Sequence, residues 1–129
     1  MPMRKLVRET LPWLPPVALM ALIFALSSMP AGDEDHGPLY VLVRKGAHFG
    51  EYALLLALWW RTLSTRVSDR RALALGLVIA ILYAISDELH QTLVDGRAGR
   101  PFDVGIDAAG ALTTAALIFH VRLRQRARA

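Results

Sequence analysis

Apolar residues fall along this chain in four blocks, each with basic residues at its edges. The first block, Leu11 to Met29, reads LPWLPPVALMALIFALSSM and carries no charge. A helix rising about 1.5 Å per residue over that length crosses a hydrocarbon core about 30 Å thick. Pro12, Pro15 and Pro16 lie in its first turns, where a missing N–H costs least. The second block runs from about Ala47 to Leu63, the third from Ala72 to about Leu89, and the fourth from Val104 to Val121. These three reach spanning length only when the polar residues at one end of each are included. The pattern predicts an all-α, polytopic membrane four-helix bundle forming a single domain over residues 1–129.

The basic residues orient it. Eleven of the fifteen Lys and Arg residues fall in three segments: Arg4, Lys5 and Arg8; Arg61, Arg66, Arg70 and Arg71; and Arg122, Arg124, Arg126 and Arg128. All three segments share one side of the membrane only if the chain crosses four times. Lys/Arg-rich short loops stay in the cytoplasm, so both termini are expected there. Trp13, Trp59 and Trp60 then fall together at the cytoplasmic interface, as interfacial aromatics do. A cleaved signal peptide is the competing reading of the first block, with its basic start and the small residues of SSMPAG. Its removal would leave the other three spans oriented as before. The acidic, breaker-rich loop PAGDEDHGP from Pro30 to Pro38 is expected as an exposed turn.

Composition agrees with this reading. The chain is 54% hydrophobic and has no cysteine, so disulfides and thiolate metal sites are excluded. Its net charge of +4 comes from residues flanking the spans. No basic face with interleaved aromatics appears, so nucleic acid is not the expected partner.

Given this topology, the polar residues of all four helices collect at the outer end. Ser27 and Ser28 close the first span. Lys45, His48, Glu51 and Tyr52 open the second. Ser86, Asp87, Glu88, His90 and Gln91 close the third, and Asp103 and Asp107 open the fourth. His48, Glu51 and Tyr52 share a helix face at spacing i, i+3, i+4, as do Asp87, His90 and Gln91. An ionisable group facing lipid costs several kcal/mol, so each such face turns toward the bundle interior or a water-filled cavity. The expectation is one outward-open pocket formed by Lys45, His48, Glu51, Tyr52, Asp87, Glu88, Gln91, Arg97, Asp103 and Asp107. Spans two and four point their N-termini outward, and helix N-termini favour anions. With Lys45, Arg97 and Arg100 nearby, a phosphate or carboxylate is the expected guest. Small residues recur at spacing four in GIDAAGALTTAA and predict close packing within the bundle.

Three stretches then line up with one known family. RKGAHFGEYALLLAL resembles a Lys-x-x-His-Phe-x-x-Tyr segment at Lys45, His48, Phe49 and Tyr52. SDELHQTLVDGR resembles Asp-Glu-x-x-Gln…Gly-Arg at Asp87, Glu88, Gln91, Gly96 and Arg97. FDVGIDAAGAL resembles Asp-Val-x-x-Asn-x-x-Gly at Asp103, Val104 and Gly110. Together, over roughly residues 20–118, they resemble the VanZ-like family. Asp107 stands where that family usually has Asn, which adds an ionisable carboxylate. The resemblance implies a protein of the bacterial cytoplasmic membrane; the founding member is associated with resistance to the glycopeptide teicoplanin.

Four functions fit these residues. The first is a binding module for membrane lipids, a lipid-linked envelope precursor or a lipophilic glycopeptide, lowering antibiotic susceptibility. The second is a membrane-embedded hydrolase or transferase acting on an envelope lipid. Asp87 and His90 are its catalytic candidates, as a carboxylate orienting an imidazole. His48, Glu51, His90 and Asp107 are its alternative as ligands of a divalent metal. Neither HExxH nor a complete nucleophile triad is present, Ser86 has no glycine elbow around it, and the cofactor is left open. The third, a transporter, needs polar residues at full depth, and the cytoplasmic halves hold little beyond Thr113, Thr114 and His120. The fourth is purely structural: Lys45 pairs with Glu51 or Asp103, His90 pairs with Asp87, Asp103 caps span four, and Glu88 faces lipid headgroups. His36 and His120 are expected bystanders.

Overall fold

A computed structural model describes residues 2–30 and 37–129, and the described residues are helical with no strand. A short helix α1 (Met3–Thr10) passes through a 3-10 turn at Leu11–Trp13 into α2 (Leu14–Ser27). Three long helices follow: α3 (Gly37–Leu63), α4 (Asp69–Gln91) and α5 (Pro101–Ala127). The stretch Met3–Ser27, α4 and α5 are each long and apolar enough to cross a membrane. At 27 residues, α3 has the length. Arg44, Lys45, His48 and Glu51 lower its hydropathy, so it does not qualify as a span by composition alone. Instead it packs against α2, α4 and α5 and carries the largest part of the core: Tyr52, Leu55, Leu56 and Trp59.

The helices alternate in direction. α3 and α5 run parallel, with Lys45 beside Asp103 and Phe49 beside Gly110. α2 and α4 run the other way, with Tyr83 reaching Met20 and Gln91 reaching Ser27. All polar span ends therefore meet at one end of the bundle, the polar end.

α3 begins about ten residues earlier than the hydropathy block. Pro38 fits a first helical turn, and helicity does not require the apolar composition that Arg44 and Lys45 interrupt. The expected turn across residues 30–38 falls mainly outside the described residues, as does His36.

Proline placement in α2 has a visible consequence. Pro16 has no N–H to offer the Pro12 carbonyl one turn earlier. The Thr62 hydroxyl of α3 donates to that oxygen at 2.6 Å instead. Such substitution by a neighbouring helix is how a membrane bundle tolerates proline. Trp13 and Trp59 meet edge-to-face at 6.0 Å beside it. Arg66 lies over Trp13 and Arg122 over Trp60, so the tryptophans share one end with the Arg-rich segments.

Small residues set the spacing of the helices. Ala72, Gly76, Ala80 and Ala84 form a buried stripe on α4, and Gly110, Ala111 and Ala115 form one on α5. The packing role expected of the α5 glycine–alanine pattern falls to these buried members, while Gly105 and Ala109 are exposed. A Cβ at Gly110 would collide with the Phe49 carbonyl, whereas one at Gly105 meets open space. Gly110→Ala should therefore destabilise the bundle by about 1–3 kcal/mol through forced backbone displacement. Gly105→Ala should be neutral or slightly stabilising. Thermal melting of the two variants in detergent, against the parent, checks both signs.

Candidate functional site at the polar end

The polar end is built from the last turn of α2, the first half of α3, the last turns of α4 and the first turns of α5. Two adjoining cavities open there. The first, about 240 Å³, is lined by Tyr40, Val41, Arg44, Lys45, His48, Gly96, Arg97, Ala98, Arg100, Asp103 and Ile106. The second, about 210 Å³, lies at the seam of α2 and α3 and is lined by Ile23, Leu26, Ser27, Met29, Tyr40, Arg44, Ala47, His48, Glu51 and Arg97. Tyr40, Arg44, His48 and Arg97 border both.

The residues anticipated as one pocket divide into two layers. Lys45, His48, Glu51, Arg97 and Asp103 line the cavities. Tyr52 (0% exposed), Asp87 (3%), Glu88 (6%), Gln91 (1%) and Asp107 (1%) are buried among the helices. All ten are brought to one end, as the helix phases require.

Their contacts explain the division. Lys45 Nζ donates to Asp103 Oδ1 at 2.9 Å and lies 4.8 Å above the Phe102 ring. Asp103 sits in the first turn of α5, where the helix dipole favours a carboxylate. It does not cap that helix: the N-cap position is Arg100. His48 Nδ1 lies 3.2 Å from Asp107 Oδ1, an ion-pair distance joining α3 to α5. Gln91 Nε2 lies 3.5 Å from both Asp87 Oδ2 and Ser27 Oγ. Tyr52 Oη, Asp87 Oδ1, Glu88 Oε2 and Asp107 Oδ2 are buried with no hydrogen-bond partner among the described residues. Buried polar atoms ordinarily find one.

Two expectations need correction. Glu88 does not face lipid headgroups. It is buried, and its Oε1 accepts from the backbone N–H of Arg100, tying the end of α4 to the start of α5. A helix N-terminus leaves N–H groups without intrahelical partners, and a nearby carboxylate satisfies one. Nor do the contacts of His90 run to Asp87. Its ring stacks on Phe24 at 4.6 Å, and its Nε2 lies 2.9 Å from Ser28 Oγ. The single Ser28 proton goes to the Phe24 carbonyl at 2.7 Å, so His90 Nε2 is the donor of the pair. That ring nitrogen is occupied in joining α4 to α2.

Arg97 is also partly engaged within the protein. Its Nε donates to the Met29 carbonyl at 2.7 Å and its Nη2 to the Leu26 carbonyl at 3.3 Å. A cation at the last carbonyls of a helix is favoured by the dipole and satisfies acceptors the helix cannot. Burial, and then the neighbouring Arg44, lower its pKa from the usual value; an arginine begins so high that it stays charged. Arg44 and Arg100 make no ion pair with a carboxylate among the described residues. With the second span starting at Ala47, Arg44 reads only as a loop charge. It stands one turn before His48, and that spacing is the signal that places it on the same helix face. Tyr40 on the cavity wall stands one turn before Arg44 in the same register. Among the described residues no three His, Cys, Asp or Glu side chains are grouped to hold a metal ion. His120 is exposed toward the other end of α5.

The model of the VanZ/LLP1 family matches residues 8–123 of this chain, nearly its whole length. No curated protein and no solved structure matches it.

If Lys45 and Asp103 hold α3 to α5, replacing either alone strands a half-buried charge. Lys45→Met and Asp103→Asn should each destabilise the protein, and the double variant should lose less than the sum. The expected coupling is about 0.5–3 kcal/mol, read from a double-mutant cycle of melting curves in detergent.

Proposed function

The chain belongs to the VanZ/LLP1 family, and on that premise we propose that its polar end holds the anionic head of a cell-envelope lipid or lipid-linked precursor. In this reading the protein is a multi-pass protein of the bacterial cytoplasmic membrane with that end facing outward. Occupying such a lipid would lower susceptibility to drugs that act on it.

The observation that carries the reading is the first cavity, where Arg44, Lys45, Arg97 and Arg100 stand against a single lining carboxylate, Asp103. Lys45 is neutralised by Asp103 and Arg97 is bonded to the end of α2. Arg44 and Arg100 are the cations left to meet a guest. Guanidinium groups recognise phosphate and carboxylate through paired N–H donors. Size narrows the guest further. A cavity of about 240 Å³ is smaller than the roughly 300–1,000 Å³ typical of drug-sized ligands. That supports a head group over a whole glycopeptide.

A second reading, a hydrolase or transferase acting on the same lipid, is favoured by one contact. Asp107 Oδ1 lies 3.2 Å from Nδ1 of His48, and His48 lines both cavities. A carboxylate beside Nδ1 favours the tautomer with its proton there, which leaves Nε2 to act as a general base. Turnover of a radiolabelled envelope lipid by the purified protein, abolished in His48→Gln, would favour it over simple binding.

Two outcomes test the main reading. Arg44→Gln and Arg100→Gln should each weaken retention of anionic lipid by about tenfold or more, the loss of a charged hydrogen bond worth about 1.5–3 kcal/mol. Arg4→Gln at the opposite end should change nothing. Native mass spectrometry of protein with defined lipids measures this. For orientation, a C-terminal fluorescent-protein fusion should be bright and a C-terminal alkaline phosphatase fusion inactive; the reverse would turn the site inward.

A further inference from the structure

The second cavity differs from the first in character and position. One side of it is apolar, with Ile23, Leu26 and Met29 from α2 and the residues after it, and Ala47 from α3; Ser27, Tyr40, Arg44, His48, Glu51 and Arg97 line the rest. Leu26, Met29 and Ala47 are exposed at the surface of the bundle. It meets the cationic cavity at Arg44 and His48. The cationic chamber thus continues into one whose apolar side reaches the outer surface of the bundle.

Among the described residues the hydrogen bonds of the polar half of α2 run away from that seam. Tyr83 Oη donates to the Met20 carbonyl at 2.5 Å, His90 meets Ser28, and Gln91 meets Ser27. Along its polar half α2 is therefore tied to α4, and Arg97 from the following loop holds its last carbonyls. Its hydrogen bond to α3 is at the far end, Thr62 to Pro12. Among the described residues no hydrogen bond joins α2 to the first half of α3. Over that half the described residues of the two helices can part without breaking a hydrogen bond between them in hydrocarbon.

We propose that the seam between α2 and α3 is a lateral portal, and that its occupant is a membrane lipid bearing a terminal phosphate. The phosphate lies between Arg44 and Arg100, and the hydrocarbon leaves through the second cavity past Leu26, Met29 and Ala47 into the bilayer. This rests on the head-group reading above and adds the class of head, the route of entry and the path of the chain. Charge complementarity selects the phosphate, because a dianionic group can bond two guanidinium forks. The apolar side of the second cavity, formed by Ile23, Leu26, Met29 and Ala47 and open at the bundle surface, selects a lipid over a free anion.

The experiment uses the full chain in lipid nanodiscs and a phosphatidic acid carrying a photoactivatable group in the chain near the glycerol. Irradiation should place adducts on the facing residues of α2 and α3, around Leu26, Met29 and Ala47. Arg44→Gln/Arg100→Gln should reduce capture at least tenfold. Unlabelled phosphatidic acid should compete; inorganic phosphate at equal concentration should not. Arginine-dependent capture with adducts on α4 and α5, for example at Leu89 or Leu112, overturns the portal while sparing the head-group reading. Capture indifferent to both arginines overturns that reading as well. Equal competition by inorganic phosphate overturns the lipid as occupant. Ala47→Trp, which fills the second cavity without removing a charge, should lower capture at least tenfold in protein whose melting curve matches the parent. Undiminished capture in that variant also overturns the portal.

Discussion

Hydrocarbon does not solvate a lone polar side chain, and that one constraint organises this bundle. Each helix carries ionisable or hydrogen-bonding residues toward one end, and none could bury them in lipid alone at acceptable cost. Association resolves the conflict. Lys45 meets Asp103, His48 meets Asp107, Glu88 meets the backbone of Arg100, and His90 meets Ser28. α3 is the clearest case: as an isolated segment its charges deny it the composition of a span, and inside the bundle two of its polar groups, Lys45 and His48, become its attachments to α5.

The same constraint governs the backbone. Proline in α2 removes a donor that water would replace in a soluble protein. Here Thr62 replaces it, and the tryptophans and arginines around it mark the end of the bundle rich in basic segments. The stripes of alanine and glycine on α4 and α5 serve a complementary purpose. Apolar side chains gain nothing from leaving lipid for protein, so membrane helices are held by close contact and by polar bonds. Gly110 lets α5 approach Phe49 closely enough for the Lys45–Asp103 and His48–Asp107 pairs, two turns or less away, to form.

The division of labour among the cations gives the site its character. Lys45 and Arg97 stand out in the sequence, and the bundle uses both for itself: one neutralises a carboxylate, the other closes a helix end. Arg44 and Arg100 stand out less and remain directed to the cavity. Beneath them lies a layer of buried acids with unpartnered oxygens, so the end of the bundle is basic where it opens and acidic within.

Hydropathy and charge alone determined that the chain is helical, that four helices stand together, and that their polar residues collect at one end. These follow from periodicity and from the expense of polar groups in lipid, which are properties of each segment by itself. The spacing of His48, Glu51 and Tyr52 likewise specifies a shared face, since helical geometry fixes it whatever the neighbours. What tertiary structure alone decided was which residue meets which. That depends on the rotation and axial offset of each helix against its neighbours, set jointly by small residues on α4 and α5 and by the early start of α3. Hence Asp103 takes Lys45 while Glu88 takes a backbone N–H. His90 turns to Ser28, and Arg44 emerges as a cavity residue: a segment's own sequence states what it must hide, and only its neighbours settle where.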